Sequence, residues 1–201
     1  MGELRASISA DRSVHLCLDM QRLFGSGGPW FTPWVERVLP TVTRLARHAP
    51  ARTIFTRFVP PARADDAPGM WRSYYEKWEC VTRDKIDPGV LDLLPPLLGF
   101  VPPGMVFDKP AYSAFSRPDL HPLLRAKGVD TLVISGAETD VCVLSTVLSA
   151  VDLGYRVILA KDALCSSADQ SHDALLLLYA RRFDIQIELA DTENIIAEWS
   201  I

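Results

Sequence analysis

The chain has 201 residues, 48% of them hydrophobic and 23% charged, which is typical of one globular domain, here residues 1–201, and not of a disordered, collagen-like or coiled-coil chain. Its 21 basic and 25 acidic residues give a formal net charge of −4, which argues against nucleic acid as a partner. No apolar run approaches the roughly 20 residues that cross a bilayer, and residues 1–12 are too polar for a signal peptide, so we expect a cytoplasmic protein without a membrane partner.

Six short β-rich runs alternate with helical patterns along the chain. The predicted strands are Ser13–Leu18, Thr53–Phe58, Met105–Phe107, Thr131–Ser135, Tyr155–Ala160 and Ile185–Leu189. Several of them are apolar on both faces, as buried parallel strands are. The repeated strand, helix, strand order implies right-handed crossovers. We therefore predict an α/β fold, with a parallel sheet covered by helices on both faces.

Four helices are predicted around these strands. They are Pro33–His48, a helix from Leu120 that ends before Gly128, Val141–Leu153, and a helix from about Ser171 to Arg182. Thr32 is the predicted N-cap of the first helix and Ser116–Asp119 the predicted capping box of the second. Gly128 and Gly154 occupy the positions where a left-handed residue ends a helix.

Residues 59–104 interrupt this alternation. This excursion holds more than half of the 15 prolines and no convincing strand, and long ordered insertions of this kind are often functional. Within it, four aromatic residues have helical spacing and would form a stripe on a short helix: Trp71, Tyr74, Tyr75 and Trp78. The stripe fits a pocket wall and equally fits core packing or a subunit interface.

Three side chains with complementary chemistry follow three of the predicted strands. Asp19 comes directly after the first strand, Lys109 follows the third, and Cys142 follows the fourth in the first turn of the next helix. Because the carboxyl ends of parallel strands meet at one edge of a sheet, we expect these side chains to share one cleft. The first turn of a helix carries partial positive charge, which lowers the pKa of a thiol there. The pattern predicts a nucleophilic cysteine with an acidic and a basic neighbour.

Each of these residues also has an ordinary structural interpretation. Asp19 suits a turn cap, Lys109 a solvated surface position, and Cys142 a small buried apolar site. The remaining cysteines fit the last interpretation better; they are Cys17, Cys80 and Cys165. The cysteines are widely spaced with no Cys-x-x-Cys pair, which argues against a disulfide framework and a thiolate zinc site.

Three ordered motifs resemble those of the isochorismatase-like cysteine hydrolase family, which includes nicotinamidases, N-carbamoylsarcosine amidohydrolases and related ureide and maleamate amidases. The motifs are Leu-Asp-Met-Gln at 18–21, Asp-Lys-Pro-Ala-Tyr-Ser-Ala-Phe at 108–115 and Gly-Ala-Glu-Thr-Asp-Val-Cys at 136–142. The resemblance spans nearly the whole chain. It implies a three-layer αβα fold with a six-stranded parallel, Rossmann-like sheet.

By this resemblance Asp19, Lys109 and Cys142 form a catalytic triad. The resemblance also implies a cis peptide between Ala137 and Glu138, which turns the backbone amides of Glu138 and Cys142 toward the substrate oxygen as an oxyanion hole. Cys142 would attack an amide-type carbonyl after Asp19 has taken its proton, and Lys109 would favour the thiolate. The resulting thioester would then be hydrolysed by water that the same carboxylate activates.

The chain departs from the nicotinamidases of this family, which hold a metal with Asp and His ligands after the second strand. It has no histidine between His48 and His121, and Asp65 and Asp66 alone suit zinc poorly. We therefore predict no metal and no cofactor, and regard nicotinamide as a doubtful substrate. A ureide, a carbamoyl compound or a small aliphatic amide fits better.

Two other functions stay open. One is the vinyl-ether hydrolysis of the true isochorismatases, which lack the nucleophilic cysteine that this chain has. The other is a non-catalytic binding module on the same fold. The second lacks support, because the chain has no G-x-G-x-x-G after its first strand and no phosphate-binding G-x-x-x-x-G-K-[ST].

The sequence gives few indications of which residues line the substrate pocket. Its predicted aromatic walls are Phe24, Trp71, Tyr75, Tyr112 and Phe115. Gln21 is the predicted anchor for a polar substrate atom. Three arginines could bind a substrate carboxylate, with no basis for choosing among them: Arg57, Arg72 and Arg117. The expected partners are a small amide-type molecule and, by the resemblance, further copies of the chain in a dimer or tetramer.

Overall fold

The computed structural model describes residues 4–201, so residues 1–3 of the predicted domain lie outside it. Its strands are β1 (Ile8–Ser9), β2 (Ser13–Leu18), β3 (Thr53–Phe58), β4 (Met105–Lys109), β5 (Thr131–Ala137), β6 (Arg156–Cys165), β7 (Ile187–Ala190) and β8 (Trp199–Ser200). Six of them form an all-parallel sheet in the order β4-β3-β2-β5-β6-β7. The predicted α/β fold with a six-stranded parallel sheet is confirmed. The remaining pair, β1 and β8, forms a short parallel sheet that the strand pattern did not predict.

Helices cover both faces of the large sheet. They are α1 (Val35–His48), α2 (Met70–Lys77), α3 (Pro95–Leu98), α4 (Leu120–Ala126), α5 (Leu144–Asp152), α6 (Asp169–Arg182) and α7 (Thr192–Glu198). Buried side chains of α1 and α7 join one hydrophobic cluster, and those of α4, α5 and α6 join another. Among residues 4–201, none of these helices combines the length and the apolar composition that a membrane crossing requires.

Alternation along the strands divides the core between these two clusters. In β2, Leu16 and Leu18 pack into the cluster with α4 and α5, whereas Cys17 between them packs into the cluster with α1. All three are fully buried. Burial of each leucine contributes about 2 kcal/mol, and it holds β2 at the centre of the sheet with helices on either side. This central position places the residue after β2 in the middle of the carboxyl edge.

The predicted side-chain caps of two helices are wrong, although the second of these helices begins at Leu120 as predicted. The first helix begins at Val35 with no side-chain cap, because Thr32 instead donates its hydroxyl to Glu138 Oε1 at 3.1 Å and to the Trp30 carbonyl at 3.3 Å. No capping box precedes α4 either. Its Asp119 forms an ion pair with Arg117, Nη2 to Oδ2 2.7 Å, and so does not cap the helix.

The helix predicted from Val141 is also shorter at its start. Residues Thr139–Val143 form one π-helical turn, and the α-helix α5 begins after it at Leu144. Gly154 closes α5 with a φ of +83°, and Gly128 follows α4 with a φ of +70°, as predicted for left-handed C-terminal residues. The π turn displaces the segment that carries Cys142 from regular helical geometry.

Gly136 is the position where the sheet demands glycine. Its φ is +111°, and a Cβ atom there would lie 2.0 Å from the Leu18 carbonyl oxygen. Strand β5 therefore approaches β2 closely just before both strands end. This close approach brings the segment after β5 next to Asp19.

The excursion, residues 59–104, contains α2, α3 and short 3₁₀ turns, and no strand. It returns to the sheet through an isolated antiparallel bridge between Leu93 and Gln21. The aromatic stripe lies on α2 and its C-cap, Trp78. The excursion therefore packs beside the carboxyl edge of the sheet.

Candidate active site

The structure brings Asp19, Lys109 and Cys142 together at the carboxyl edge of the sheet. They follow β2, end β4 and follow β5, respectively. Lys109 Nζ lies 2.7 Å from Asp19 Oδ2 and 3.4 Å from Cys142 Sγ. All three side chains are buried, with exposures of 0%, 1% and 5%. The ammonium thus contacts both the carboxylate and the sulfur.

Asp19 is held by backbone geometry and by a threonine that the sequence interpretation missed. Its φ is +51°, a left-handed conformation that aspartate tolerates better than most side chains. Thr56 Oγ1 donates to Asp19 Oδ1 at 2.6 Å, and the Asp19 amide donates to the Thr56 carbonyl at 3.2 Å. Strand β3 also contains Thr53 and Arg57, so its sequence pattern did not single out Thr56. These bonds aim the second carboxylate oxygen at Lys109.

Lys109 keeps its charge although it is buried. Burial disfavours the ammonium, but the neighbouring Asp19 carboxylate and Cys142 sulfur outweigh it and raise the pKa of Lys109 above its usual value. Its Nζ also donates to the Ala111 carbonyl at 3.1 Å and lies 5.0 Å from the centre of the Phe58 ring. The site therefore contains a buried ion pair.

The Cys142 thiol is not acidified at rest, contrary to the expectation from its place near a helix N-terminus. Burial and the adjacent Asp19 carboxylate raise the pKa of Cys142 well above its ordinary value, and Lys109 opposes them only in part. A protonated sulfur beside a carboxylate needs that carboxylate to accept its proton before it can act as a nucleophile.

The turn that carries Cys142 starts at a cis peptide between Ala137 and Glu138. The Glu138 carbonyl accepts hydrogen bonds from the amides of Val141 at 3.1 Å and Val143 at 3.0 Å. These bonds hold the turn around Cys142. The oxyanion-hole role of the Glu138 and Cys142 amides stays a prediction.

A cavity of about 370 Å³ opens onto Cys142. Phe24 and Tyr112 line it, as predicted for pocket walls. The other lining residues were not named among the predicted walls, although Tyr74 and Trp78 belong to the predicted stripe: Pro29, Trp30, Phe31, Phe58, Tyr74, Trp78, Glu138, Val141 and Ser167. Trp30 is the centre of the aromatic wall, since its ring lies 5.8 to 6.1 Å from the rings of Phe24, Phe58, Tyr74 and Trp78.

Three of the residues predicted to line the pocket lie elsewhere. Trp71 and Tyr75 line a second cavity, of about 490 Å³, which meets Lys109 from another side. The residues of the stripe thus line two different cavities. Tyr74 and Trp78 line the cavity at Cys142, and Trp71 and Tyr75 line the second one. Phe115 packs on Tyr155, with ring centres 5.8 Å apart, in the cluster with α4 to α6.

Gln21 is not free to anchor a substrate. Its Nε2 donates to the carbonyls of Phe58 at 3.2 Å and Leu91 at 2.8 Å, and its Oε1 accepts from the Phe58 amide at 2.7 Å. The side chain is fully buried. The predicted substrate contact is therefore wrong, and Gln21 instead ties the excursion to the end of β3.

We expect Gln21→Ala to lower the free energy of unfolding by about 3 kcal/mol, because it leaves buried backbone groups of Phe58 and Leu91 without partners. Urea denaturation measures this loss. The matched control is Gln170→Ala on the exposed face of α6, which we expect to change stability by less than about 0.5 kcal/mol. Equal losses of stability in the two variants would contradict the role of Gln21 in tying the excursion to the end of β3.

The three arginines considered for a substrate carboxylate are engaged with acidic residues outside the cavity. Arg57 pairs with Asp108 and Asp92, Arg72 pairs with Asp65 and Glu76, and Arg117 pairs with Asp119. None of them lines the cavity at Cys142. This site therefore has no bidentate guanidinium to offer a substrate.

Metal ligands do not assemble within residues 4–201. This part of the chain contains no group of three or more His, Cys, Asp and Glu side chains arranged to hold a metal ion. Asp65 pairs with Arg72, and Asp66 accepts from the Arg63 amide within its own turn. The two carboxylates named in the sequence interpretation thus serve local structure.

Known proteins resemble this chain in sequence and in fold. The family model described as "Isochorismatase domain" matches residues 13–191. A maleamate amidohydrolase of Pseudomonas putida is 29% identical over 181 residues, covering 86% of this chain and 78% of the relative. A ureidoacrylate amidohydrolase of Methylorubrum extorquens is 28% identical, covering 78% and 71%. The crystal structure of a cysteine hydrolase from Pseudomonas syringae superposes with a TM-score of 0.81 at 24% identity, covering 98% of this chain and 97% of the other.

Proposed function

This chain belongs to the isochorismatase family, and we propose that it is a cysteine-dependent amidohydrolase that cleaves a C–N bond of a small amide, ureide or carbamoyl compound. Its relatives include proteins named as hydrolytic enzymes, among them a maleamate amidohydrolase and a ureidoacrylate amidohydrolase. The observation that carries the cysteine mechanism is the position of Lys109 Nζ, 2.7 Å from Asp19 and 3.4 Å from Cys142. The proposal assigns these three residues as the catalytic triad.

The first half of the proposed reaction forms a thioester. Asp19 accepts the thiol proton, and the Lys109 ammonium compensates the negative charge that develops on Sγ. The sulfur attacks the carbonyl carbon, and the backbone amides of Glu138 and Cys142 bind the oxyanion. One such donor contributes about 3 kcal/mol in enzymes where it has been removed. Collapse of the tetrahedral species breaks the C–N bond, and Asp19 returns its proton to the departing nitrogen.

The second half releases the acid. Asp19, again a carboxylate, takes a proton from water, and the resulting hydroxide attacks the thioester carbon. The C–S bond breaks, and the proton returns to sulfur. The net reaction consumes one amide and one water and releases ammonia or an amine together with the acid. Neither a cofactor nor a metal enters this scheme.

A buried ion pair of this kind also argues against the non-catalytic alternative. Removing two charges from water costs several kcal/mol, and a hydrophobic pair of similar volume often stabilises a fold equally well. A binding module needs neither the charges nor a thiol between them and a cavity. No observation favours the vinyl-ether alternative.

A substrate panel tests the proposal. Ammonia release is measured with maleamate, ureidoacrylate, N-carbamoylsarcosine, nicotinamide and propionamide, and intact-protein mass spectrometry detects an acyl adduct during turnover. We expect ammonia from at least one compound and an adduct that maps to the peptide containing Cys142. No ammonia release from any of the amides, or turnover with an adduct that maps to another peptide, would contradict the proposal.

A further inference from the structure

The cavity at Cys142 has an unusual charge balance for a site that handles small polar molecules. Among the described residues that line it there is no Arg, Lys or His, and the one ionisable carboxyl group is that of Glu138. Lys109 lies behind Cys142, where Asp19 already compensates its charge. The triad ion pair is neutral as a unit, so Glu138 sets the sign of the electrostatic potential that a bound substrate meets.

Two hydrogen bonds hold the Glu138 side chain, and both are made to the same carboxylate oxygen. The Thr32 hydroxyl and the Ser167 amide both donate to Oε1, at 3.1 and 2.9 Å. Neither bond uses Oε2. Since Glu138 lines the cavity beside Cys142, its second oxygen is available to accept a hydrogen bond from an N–H group of the substrate.

The opposite wall is aromatic. The rings of Trp30 and Trp78 meet edge to face at 6.0 Å, and Tyr74 lies 6.1 Å from Trp30. Flat, uncharged π-systems pack well on aromatic rings in offset stacks, whereas the partial negative charge on the ring faces repels anions. The wall and Glu138 therefore favour the same kind of ligand.

We propose that this site accepts planar amides that carry no negative charge and rejects amides that bear a carboxylate, and that Glu138 enforces the choice. The cavity is so small that a substrate carboxylate in it lies within about 8 Å, one physiological Debye length, of Glu138. Repulsion between two like charges at such a range weakens binding about tenfold. This inference rests on the proposed amidohydrolase function.

The test compares two amides of the same shape, 3-nitrobenzamide and 3-carbamoylbenzoate, in which a neutral nitro group replaces a carboxylate. Their kcat/KM values for ammonia release are each divided by the rate constant for hydroxide hydrolysis, which removes the difference in intrinsic reactivity. We expect the corrected value for the nitro compound to be at least about tenfold higher with the wild-type protein. A ratio near one, or a preference for the carboxylate, would overturn the inference.

Variants assign the preference to Glu138. Glu138→Gln keeps an acceptor for Thr32 and Ser167 and removes the charge, so we expect the ratio to fall about tenfold, mainly through a lower KM for the carboxylate. Glu36→Gln removes the same charge from α1, outside the cavity, and should leave the ratio at its wild-type value. An unchanged ratio in Glu138→Gln would overturn the role of Glu138.

A second variant covers the case in which Glu138→Gln does not fold. Ser167→Lys introduces a positive charge at the rim, and only the backbone amide of Ser167 bonds to Glu138, so its side chain can be replaced. We expect this variant to lower the ratio as well. Failure of both variants to shift the preference toward the carboxylate would also overturn the role of Glu138.

A binding measurement separates this inference from the proposed function. Ligand-detected NMR gives the Kd of each of the two amides for the Cys142→Ser variant. If the wild-type protein releases ammonia from neither amide, the proposed function fails for this class, while the Kd ratio still measures selection. A Kd at least about tenfold lower for the nitro compound supports the inference. Equal Kd values, or binding of neither compound, overturn it.

Discussion

Cys142→Ser is expected to lower kcat for amide hydrolysis by at least about a thousandfold, the scale on which enzymes respond to loss of a nucleophile. The hydroxyl group fills nearly the same volume as the thiol beside Lys109, but its proton is far harder to remove and its oxygen is the weaker nucleophile. The variant is also expected to lose the acyl adduct. Ammonia release at saturating substrate and intact-protein mass spectrometry measure the two effects.

The control for this prediction is Cys80→Ser. Cys80 is an exposed free cysteine in the excursion, away from the cavity, so its replacement should leave kcat within about twofold of the wild-type value. Full turnover of Cys142→Ser would contradict the thiol mechanism. Circular dichroism of both variants checks that the fold is retained.

The second large effect concerns the buried pair of Asp19 and Lys109. We expect Asp19→Asn to lower the free energy of unfolding by about 3 to 5 kcal/mol, because the Lys109 ammonium then stays buried without its partner. Asparagine tolerates the φ of +51° and still accepts from Thr56, so backbone strain does not account for the loss. The same variant lacks the proton acceptor, and kcat should fall at least about a hundredfold.

A double variant separates stability from catalysis. Asp19→Asn combined with Lys109→Met removes both charges, and we expect it to recover most of the stability that either single variant loses. Activity should not recover, since the double variant has neither the acceptor nor the compensating charge. Urea denaturation and ammonia release measure the two properties on the same samples.

An exposed pair serves as the matched control. Asp65→Asn breaks the ion pair with Arg72, whose members are both solvent-exposed, and should lower the free energy of unfolding by less than about 1 kcal/mol.

If the double variant Asp19→Asn with Lys109→Met is as unstable as the single variants, the buried pair stabilises the fold itself. Recovery of activity in that double variant would contradict the assignment of Asp19 as the proton carrier.

The six sheet strands and the meeting of Asp19, Lys109 and Cys142 could be predicted from the chain. Apolar runs of strand length separated by helical patterns leave few arrangements other than a parallel sheet. In such a sheet, residues that follow different strands share the carboxyl edge wherever those strands are neighbours. The order β4-β3-β2-β5 places the three strand ends near one another, with β3 between two of them supplying Thr56.

The helix caps were predicted less well, because capping side chains have other possible partners. Thr32 satisfies the local pattern of an N-cap, but the carboxylate of Glu138, 106 residues away in the chain, takes its hydroxyl. Arg117 and Asp119 pair with each other and leave α4 uncapped. Local sequence cannot rank such competing hydrogen bonds, since the distant partner is not visible in it.

Pocket membership was the weakest prediction for a similar reason. Tyr74 and Trp78 face Cys142 while Trp71 and Tyr75 face a second cavity, although all four share one helical stripe. Periodicity specifies which residues lie on one side of α2, but not how the helix is rotated against the sheet. That rotation depends on packing across the whole excursion.

The residue pattern alone predicts the fold class, the chemical identity of the proposed reacting groups and the edge of the sheet where they gather. These properties depend on strand periodicity and on residue type. The tertiary structure decided which groups are free to act. Gln21 is saturated by backbone hydrogen bonds, the Cys142 thiol is protonated at rest through burial beside Asp19, and Glu138 carries the cavity's charge. Burial, hydrogen-bond competition and charge proximity are properties of distances between segments remote in the chain, and only the folded arrangement sets those distances.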